Sequence, residues 1–243
     1  RGDRTEEWLR AHVRDSVRDH AAATDEAAVD ELERSLALVW GDYQDPTTFI
    51  RLKDALGDAQ RPLYYLAIPP SLFAEVATRL GRSGCAGGAR LVVEKPLGRD
   101  LSSAQTINRV VASAFREEQA LRIDHYLGKP AVQNLMALRF GNALFEPLWR
   151  RESIANIQIT IAEVMGVGTR GDFYDRTGAL RDMVQNHALQ LLTMIAMEPP
   201  SSSDADAIRD EKLKVLKSLK AFTPESVARD VVRGQYRAGA LNG

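Results

Sequence analysis

The sequence predicts an α/β protein built on a doubly wound parallel sheet, and three observations carry that prediction. Short apolar runs at Leu63 to Ile68, Arg90 to Val93 and Leu121 to Ile123 alternate with longer helix-like segments. Such alternation is the pattern of strands joined by right-handed helical crossovers. Each run ends in a polar or proline break: Pro69-Pro70, Glu94-Lys95-Pro96 and Asp124-His125. Beyond Lys129 the rhythm changes, so a first domain is expected over 1–123 and a second, of different architecture, over 124–243.

The elements follow in order. Thr5 caps a first helix whose Leu9, Val13 and Val17 recur every fourth residue. Thr24, followed by Asp25 and Glu26, starts a second, with Val29, Leu32 and Leu36 on its inner side. A helix over Ser71 to Leu80 joins the first two strands, and one capped by Asp100 and running to about Phe115 joins the next pair. Pro130 suits the first turn of a further helix. Ile157, Ile159 and Ile161 alternate with polar residues, the period of a half-exposed strand. A long helix is expected from about Gly178 to Met197, stopped by Pro199-Pro200. Another follows through Leu213, Leu216 and Leu219, and Val231 to Tyr236 reads as a strand. Pro69, Lys95 and Asp124, each just after a strand, are expected along one crevice, because ligands of open α/β sheets bind beyond the carboxyl ends of the strands.

Composition excludes several classes. The 243 residues are 44% hydrophobic and 27% charged, with a formal net charge of −1. Mixed charges give no global attraction to nucleic acid or membranes, so an anionic substrate needs a local site. The single cysteine, Cys85, rules out an intrachain disulfide and fits a reducing compartment. Its Ser- and Gly-rich neighbours read as a surface loop. No apolar run is long enough to span a bilayer and no secretory signal is visible. A cytoplasmic protein without a metal-ligand cluster is the simplest reading. The chain opens on Arg1-Gly2-Asp3 without a methionine and ends at Gly243, so both ends are expected to be cut. The Arg-Gly-Asp tripeptide is too short to support an adhesion role.

Arg122 to Lys129 places an acid, a base, a phenol and an ammonium in eight residues. If the strand continued, Asp124 and His125 would point to opposite sides, so an acid–histidine pair needs another histidine. His12 and His20 lie in a charged helical stretch, which leaves His187, in the polar run Asp182 to His187. Five positions on an α-helix differ by about 140°, so Asp182 and His187 are expected to flank a cleft. By pattern alone, His187 reads as a hydrogen-bonded core histidine and Asp182 as a salt-bridge partner of Arg181 or Arg176. Lys129 is equally a solvated lysine, Glu163 an edge charge that discourages strand pairing, and Lys95 a turn residue.

Several motifs in one order resemble the glucose-6-phosphate dehydrogenase family. They are Glu94-Lys95-Pro96-Leu97-Gly98, Arg122 to Lys129, Val132 to Leu135, Leu144 to Trp149, Arg181-Asp182 with Gln185-Asn186-His187, Ala196 to Pro199, and Gly234-Gln235-Tyr236. The resemblance implies a Rossmann-like NADP-binding domain followed by an α+β domain with a mainly antiparallel sheet. It implies oxidation of glucose 6-phosphate to the phosphogluconolactone with NADP, by a homodimer or homotetramer. His187 is then the general base and Asp124 its orienting acid. His125, Tyr126 and Lys129 hold the sugar phosphate, and Glu163 and Asp182 accept from sugar hydroxyls. Lys95 meets both substrate and cofactor, Pro96 shapes its turn, Pro69 and Pro70 run beside the nicotinamide, and Arg1 meets the 2′-phosphate.

The family's glycine-rich pyrophosphate turn, of the Gly-Ala-Ser-Gly-Asp-Leu type, has no counterpart in these residues. The chain by itself is therefore expected not to turn over. Two rivals stand beside this reading. Another NAD(P)-dependent sugar oxidoreductase, of the inositol dehydrogenase-like family, shares Glu-Lys-Pro after a strand but not the full Arg122 to Lys129 run. A non-enzymatic fragment that binds sugar phosphate or self-associates would bind glucose 6-phosphate without NADP.

Overall fold

The computed structural model describes residues 4–21, 25–98, 100–162 and 166–235. The chain divides into two compact units, Arg1–Arg122 and Ile123–Gly243.

The first unit opens with α1 (Glu6–His20) and α2 (Glu26–Ser35). Thr5 Oγ accepts the Trp8 amide and caps α1. Asp25 caps α2 by accepting from Ala27 and Ala28, while Thr24, the expected cap, lies outside the described residues. The two helices pack together through a fork of charges, in which Arg14 donates to Glu33 at 2.6 Å, Asp30 at 2.5 Å and Glu26 at 3.2 Å. Val29 is buried as expected, but Leu32 stays 43% exposed. A helix absent from the expectation, α3 (Pro46–Leu56), has Asp45 as cap and Pro46 at its first position.

Three short strands form one sheet in the order β1-β2-β3: β1 (Leu63–Leu66), β2 (Arg90–Glu94) and β3 (Ala120–Ile123). β1 and β2 run parallel, with Leu63 opposite Arg90 and Leu66 opposite Val93. Their crossover helices, α4 (Phe73–Arg82) and α5 (Leu101–Ala114), pack against each other, as neighbouring crossovers of one hand do. Between them and the sheet lies the core, with Phe73, Leu80, Leu91, Val93, Val111 and Phe115 nearly sealed from solvent. Cys85 belongs to this core at 5% exposure, correcting the surface-loop expectation. Its loop is tied down by Tyr64, whose hydroxyl donates to the Cys85 carbonyl at 3.0 Å. Gln119 secures the same loop through the Ala86 and Ala89 carbonyls at 3.1 and 2.7 Å.

After β2 the chain turns through a cis Lys95–Pro96 peptide and Gly98 at φ 100°. A side chain on Gly98 would lie 2.5 Å from the Ala104 nitrogen, so only glycine fits. Asp100 then caps α5 with a reciprocal capping box to Ser103.

The second unit is helical among the described residues. It holds α6 (Pro130–Phe140), α7 (Gly171–Ala179), a π-helix (Leu180–Ala188), α8 (Leu189–Ala196), α9 (Ala205–Ser218) and α10 (Pro224–Asp230). The α7-to-α8 stretch begins earlier than expected and is broken at Gly178, whose φ of 70° no α-helix tolerates. The expected strands at Ile157 to Ile161 and from Val231 are unpaired coil in their described residues. An alternating run becomes a strand only when a neighbour takes its backbone groups, and no described segment pairs with either.

Arg139, only 4% exposed, fastens the carboxyl end of α8 by donating to the Met194 and Met197 carbonyls at 2.7 and 2.8 Å. Trp149 adds a bond from its indole nitrogen to the Ile195 carbonyl at 2.8 Å. The α6 region thus holds the helix that extends from His187.

Candidate active site

The site in the second unit starts where β3 ends. Asp124 accepts the Tyr126 amide on Oδ1 at 3.0 Å, capping a short 3₁₀ turn over His125–Gly128. Lys129 follows, and Pro130 opens α6 without a missing donor, since first-turn amides have no helical partner. The turn overrides the expectation that Asp124 and His125 face apart. That expectation assumed continued strand, and the strand stops at Ile123.

Opposite stands His187 on the π-helix, 1% exposed. Its Nδ1 lies 2.6 Å from Asp124 Oδ1, whose residue is itself mostly buried. A carboxylate only accepts, so Nδ1–H donates and the tautomer is set with the proton there. The Tyr126 ring stacks on the imidazole, centroids 4.0 Å apart and 14° from parallel. His125 meets the same imidazole edge-on at 4.6 Å. Lys129 Nζ stands 3.7 Å from the Tyr126 ring centre, a cation–π contact that holds the ammonium beside the pair.

Asp182 and His187 lie on the same π-helix. Its hydrogen bonds run from residue i to i+5, so residues five apart spread by less than the α-helical angle. The expectation that Asp182 and His187 flank a cleft assumed the α-helical angle, which the π-helix does not keep. The Asn186 side chain donates to the Arg181 carbonyl, five residues back, at 2.9 Å. π-Helical turns are rare and recur at functional sites.

Asp124, His125 and His187 bring donor atoms within 4.8 Å of one another, a trio the sequence did not reveal. Ligands of a tetrahedral zinc, at about 2.0–2.1 Å from the metal, stand more than about 3 Å apart. The 2.6 Å between Asp124 and His187 is instead a hydrogen bond. The trio has the chemistry of an acid–histidine pair with a second imidazole beside it.

Lys212 and Gln190 complete the surroundings, and sequence reasoning missed both. Lys212, on α9, donates to Gln190 Oε1 at 2.7 Å, and Gln190 lies in the first turn of α8, three residues past His187. Burial pushes the Lys212 ammonium below the ordinary lysine range, and the Asp124 charge pulls it back. A signal existed. Ala207, Ile208, Glu211, Lys212 and Val215 form the inward stripe of α9, and lysine is out of place on such a stripe.

Of the remaining candidates, Lys95 and Pro96 follow β2 and Pro69 and Pro70 follow β1, all in the first unit. Because β1 and β2 are parallel neighbours, these residues emerge at one edge of the sheet. Arg1 and Glu163 lie outside the described residues. No helix among the described residues is long and apolar enough to cross a membrane.

Two family models match the chain end to end. "Glucose-6-phosphate dehydrogenase, NAD binding domain" covers residues 1–134 and "Glucose-6-phosphate dehydrogenase, C-terminal domain" covers 136–243. A glucose-6-phosphate 1-dehydrogenase of Rhizobium meliloti is 47% identical over 239 residues, which are 96% of this chain and 49% of that protein. The crystal structure of a glucose-6-phosphate 1-dehydrogenase from Mycobacterium avium superposes with a TM-score of 0.89 at 42% identity, covering 97% of this chain and 51% of the other. A glucose-6-phosphate dehydrogenase solved with its substrate glucose 6-phosphate gives a TM-score of 0.81 at 38% identity, covering 90% and 47%. The chain spans about half the length of the curated relatives it matches. The matched models, one for each successive half of the sequence, place the chain in the glucose-6-phosphate dehydrogenase family.

Proposed function

We propose that this chain carries the proton-transfer machinery of a glucose-6-phosphate dehydrogenase. The whole protein would oxidise D-glucose 6-phosphate to 6-phospho-D-glucono-1,5-lactone, the first step of the oxidative pentose phosphate pathway. The observation that carries the reading is the 2.6 Å contact between His187 and Asp124. With Nδ1 given to Asp124, Nε2 takes the proton of the anomeric hydroxyl. Asp124 holds the ring's orientation and stabilises the imidazolium that forms, as the acid does in other acid–histidine pairs. Such general-base help contributes about 10²–10⁴-fold.

Lys129, His125 and Tyr126 are assigned to the sugar phosphate, a dianion that favours a cation and neutral donors. Asp182 and Glu163 are assigned to the sugar hydroxyls. Lys95 is assigned to substrate and cofactor together. Bound NADP supplies the hydride acceptor. The fit of this chain's residues to NADP rests on the sheet edge after β1 and β2, the place where doubly wound sheets take dinucleotides. There Pro69, Pro70 and Pro96 give rigid walls for the nicotinamide half, and Lys95 a cation. Arg1 is assigned to the 2′-phosphate. The first unit serves as the NADP-binding domain and the second as the substrate domain of a cytoplasmic homodimer or homotetramer.

The test is NADP reduction by the whole protein with glucose 6-phosphate, beside a His187→Asn variant. Reduction that survives at full rate in the variant overturns the assignment. Reduction with another sugar but not glucose 6-phosphate overturns the substrate.

A further inference from the structure

Asp124 is served unevenly. Its Oδ1 receives both the His187 Nδ1–H and the Tyr126 amide, while Oδ2 is buried without a hydrogen-bond partner. A buried carboxylate with one bare oxygen needs compensating charge nearby, or the neutral acid becomes the favoured form. The cation on which the Asp124 charge acts is Lys212. It is half-buried on the inward stripe of α9, and its ammonium is fixed by Gln190, three residues past His187. The charged groups acting on Lys212 are Asp124, which favours its ammonium, and Arg209, which opposes it. Its neighbours Glu211 and Lys214 pair with each other at 2.6 Å. Around His187 stand Asp124, His125 and Tyr126, with Lys129 over the Tyr126 ring.

We propose that Lys212 is a positioning residue for the Asp124–His187 pair, a counter-charge hung on Gln190 that keeps Asp124 ionised and His187 unprotonated at neutral pH. A fixed cation favours the carboxylate and disfavours the imidazolium. A general base needs both conditions at once, so one lysine meets two requirements. The inference rests on reading His187 as that base, but its test does not depend on turnover.

The test follows the imidazole signals of the histidine-labelled chain by NMR from about pH 5 to about pH 9, the range in which histidine titrates. His12 and His20, both on α1, are the internal references. In Lys212→Met the His187 midpoint is expected to rise by on the order of half a pH unit or more, with His12 and His20 unmoved. Lys212→Arg, which keeps the charge, is expected to restore it. If the methionine variant does not fold, Lys212→Gln is read in the same way. A His187 midpoint unmoved in a folded neutral variant overturns the proposal, as does an arginine variant that shifts like the neutral ones. A shift intact in a protein that fails to reduce NADP overturns the dehydrogenase reading and leaves the counter-charge standing.

Discussion

Asp124 and His187 are 63 residues apart in the chain and 2.6 Å apart in the fold, one at the end of a strand and the other inside a π-helix. The bond commits Nδ1 of a buried imidazole to a carboxylate. In the whole protein, Asp124→Asn presents an amide that can donate to Nδ1 and favour the wrong tautomer. Turnover with glucose 6-phosphate is expected to fall by about 10²–10⁴-fold, while binding of the sugar phosphate stays within a few fold. Calorimetric binding beside steady-state rates separates the two. Equal losses in both would mean that Asp124 shapes the site and does not serve proton transfer.

Lys129 sits over Tyr126, which stacks on His187, so its charge is held where the sugar phosphate is assigned. A charge-assisted bond contributes about 1.5–3 kcal/mol. Lys129→Ala is therefore expected to weaken glucose 6-phosphate binding by about 10- to 100-fold and leave binding of unphosphorylated glucose unchanged. Titration with both sugars decides the point. Equal weakening of the two would remove Lys129 from the phosphate.

What was legible in the sequence was local. Thr5, Asp100 and Pro130 mark helix starts because their chemistry serves the first turn whatever lies beyond it. Pro69 and Lys95-Pro96 mark the ends of β1 and β2 for the same reason. Two helices, α3 and α10, carried equally local marks that were passed over, an Asp45-Pro46 start and a Thr223-Pro224 capping box. The alternation of Ile157, Ile159 and Ile161 misled because strand pairing depends on a distant partner. The π-helix was illegible because its i to i+5 repeat leaves no trace in an apolar period. Lys212 shows the opposite failure, since a lysine on the inward stripe of α9 was readable and was passed over.

Arg139 makes a prediction about the scaffold behind the site. Its guanidinium is buried and satisfies two carbonyls at the end of α8. Arg139→Ala leaves the Met194 and Met197 carbonyls without those donors and opens space beside Trp149. Such a loss is expected to destabilise the second unit by about 3 kcal/mol. Urea unfolding followed by tryptophan fluorescence reads it directly. A midpoint unchanged from the parent would mean that the carbonyls find other partners.

The last prediction concerns α1 and α2. The hydrogen bond from Arg14 holds the Glu33 carboxyl below the ordinary carboxylate range. A carboxyl lowered by folding stabilises the folded form above its unfolded value of about 4.3. That contribution disappears as pH falls through the lower, folded value. Protection of the α1 and α2 amides against hydrogen exchange, corrected for the intrinsic rate, is therefore expected to fall on acidification more than that of Leu91 and Val93 in the core. Arg14→Met should reproduce the fall at neutral pH and change less once the pH has dropped below the folded value, where Glu33 is protonated in the parent as well. An equal effect of the substitution at both pH values would assign the stabilisation to the packed stem of Arg14, since packing, unlike the ion pair, is indifferent to the protonation of Glu33.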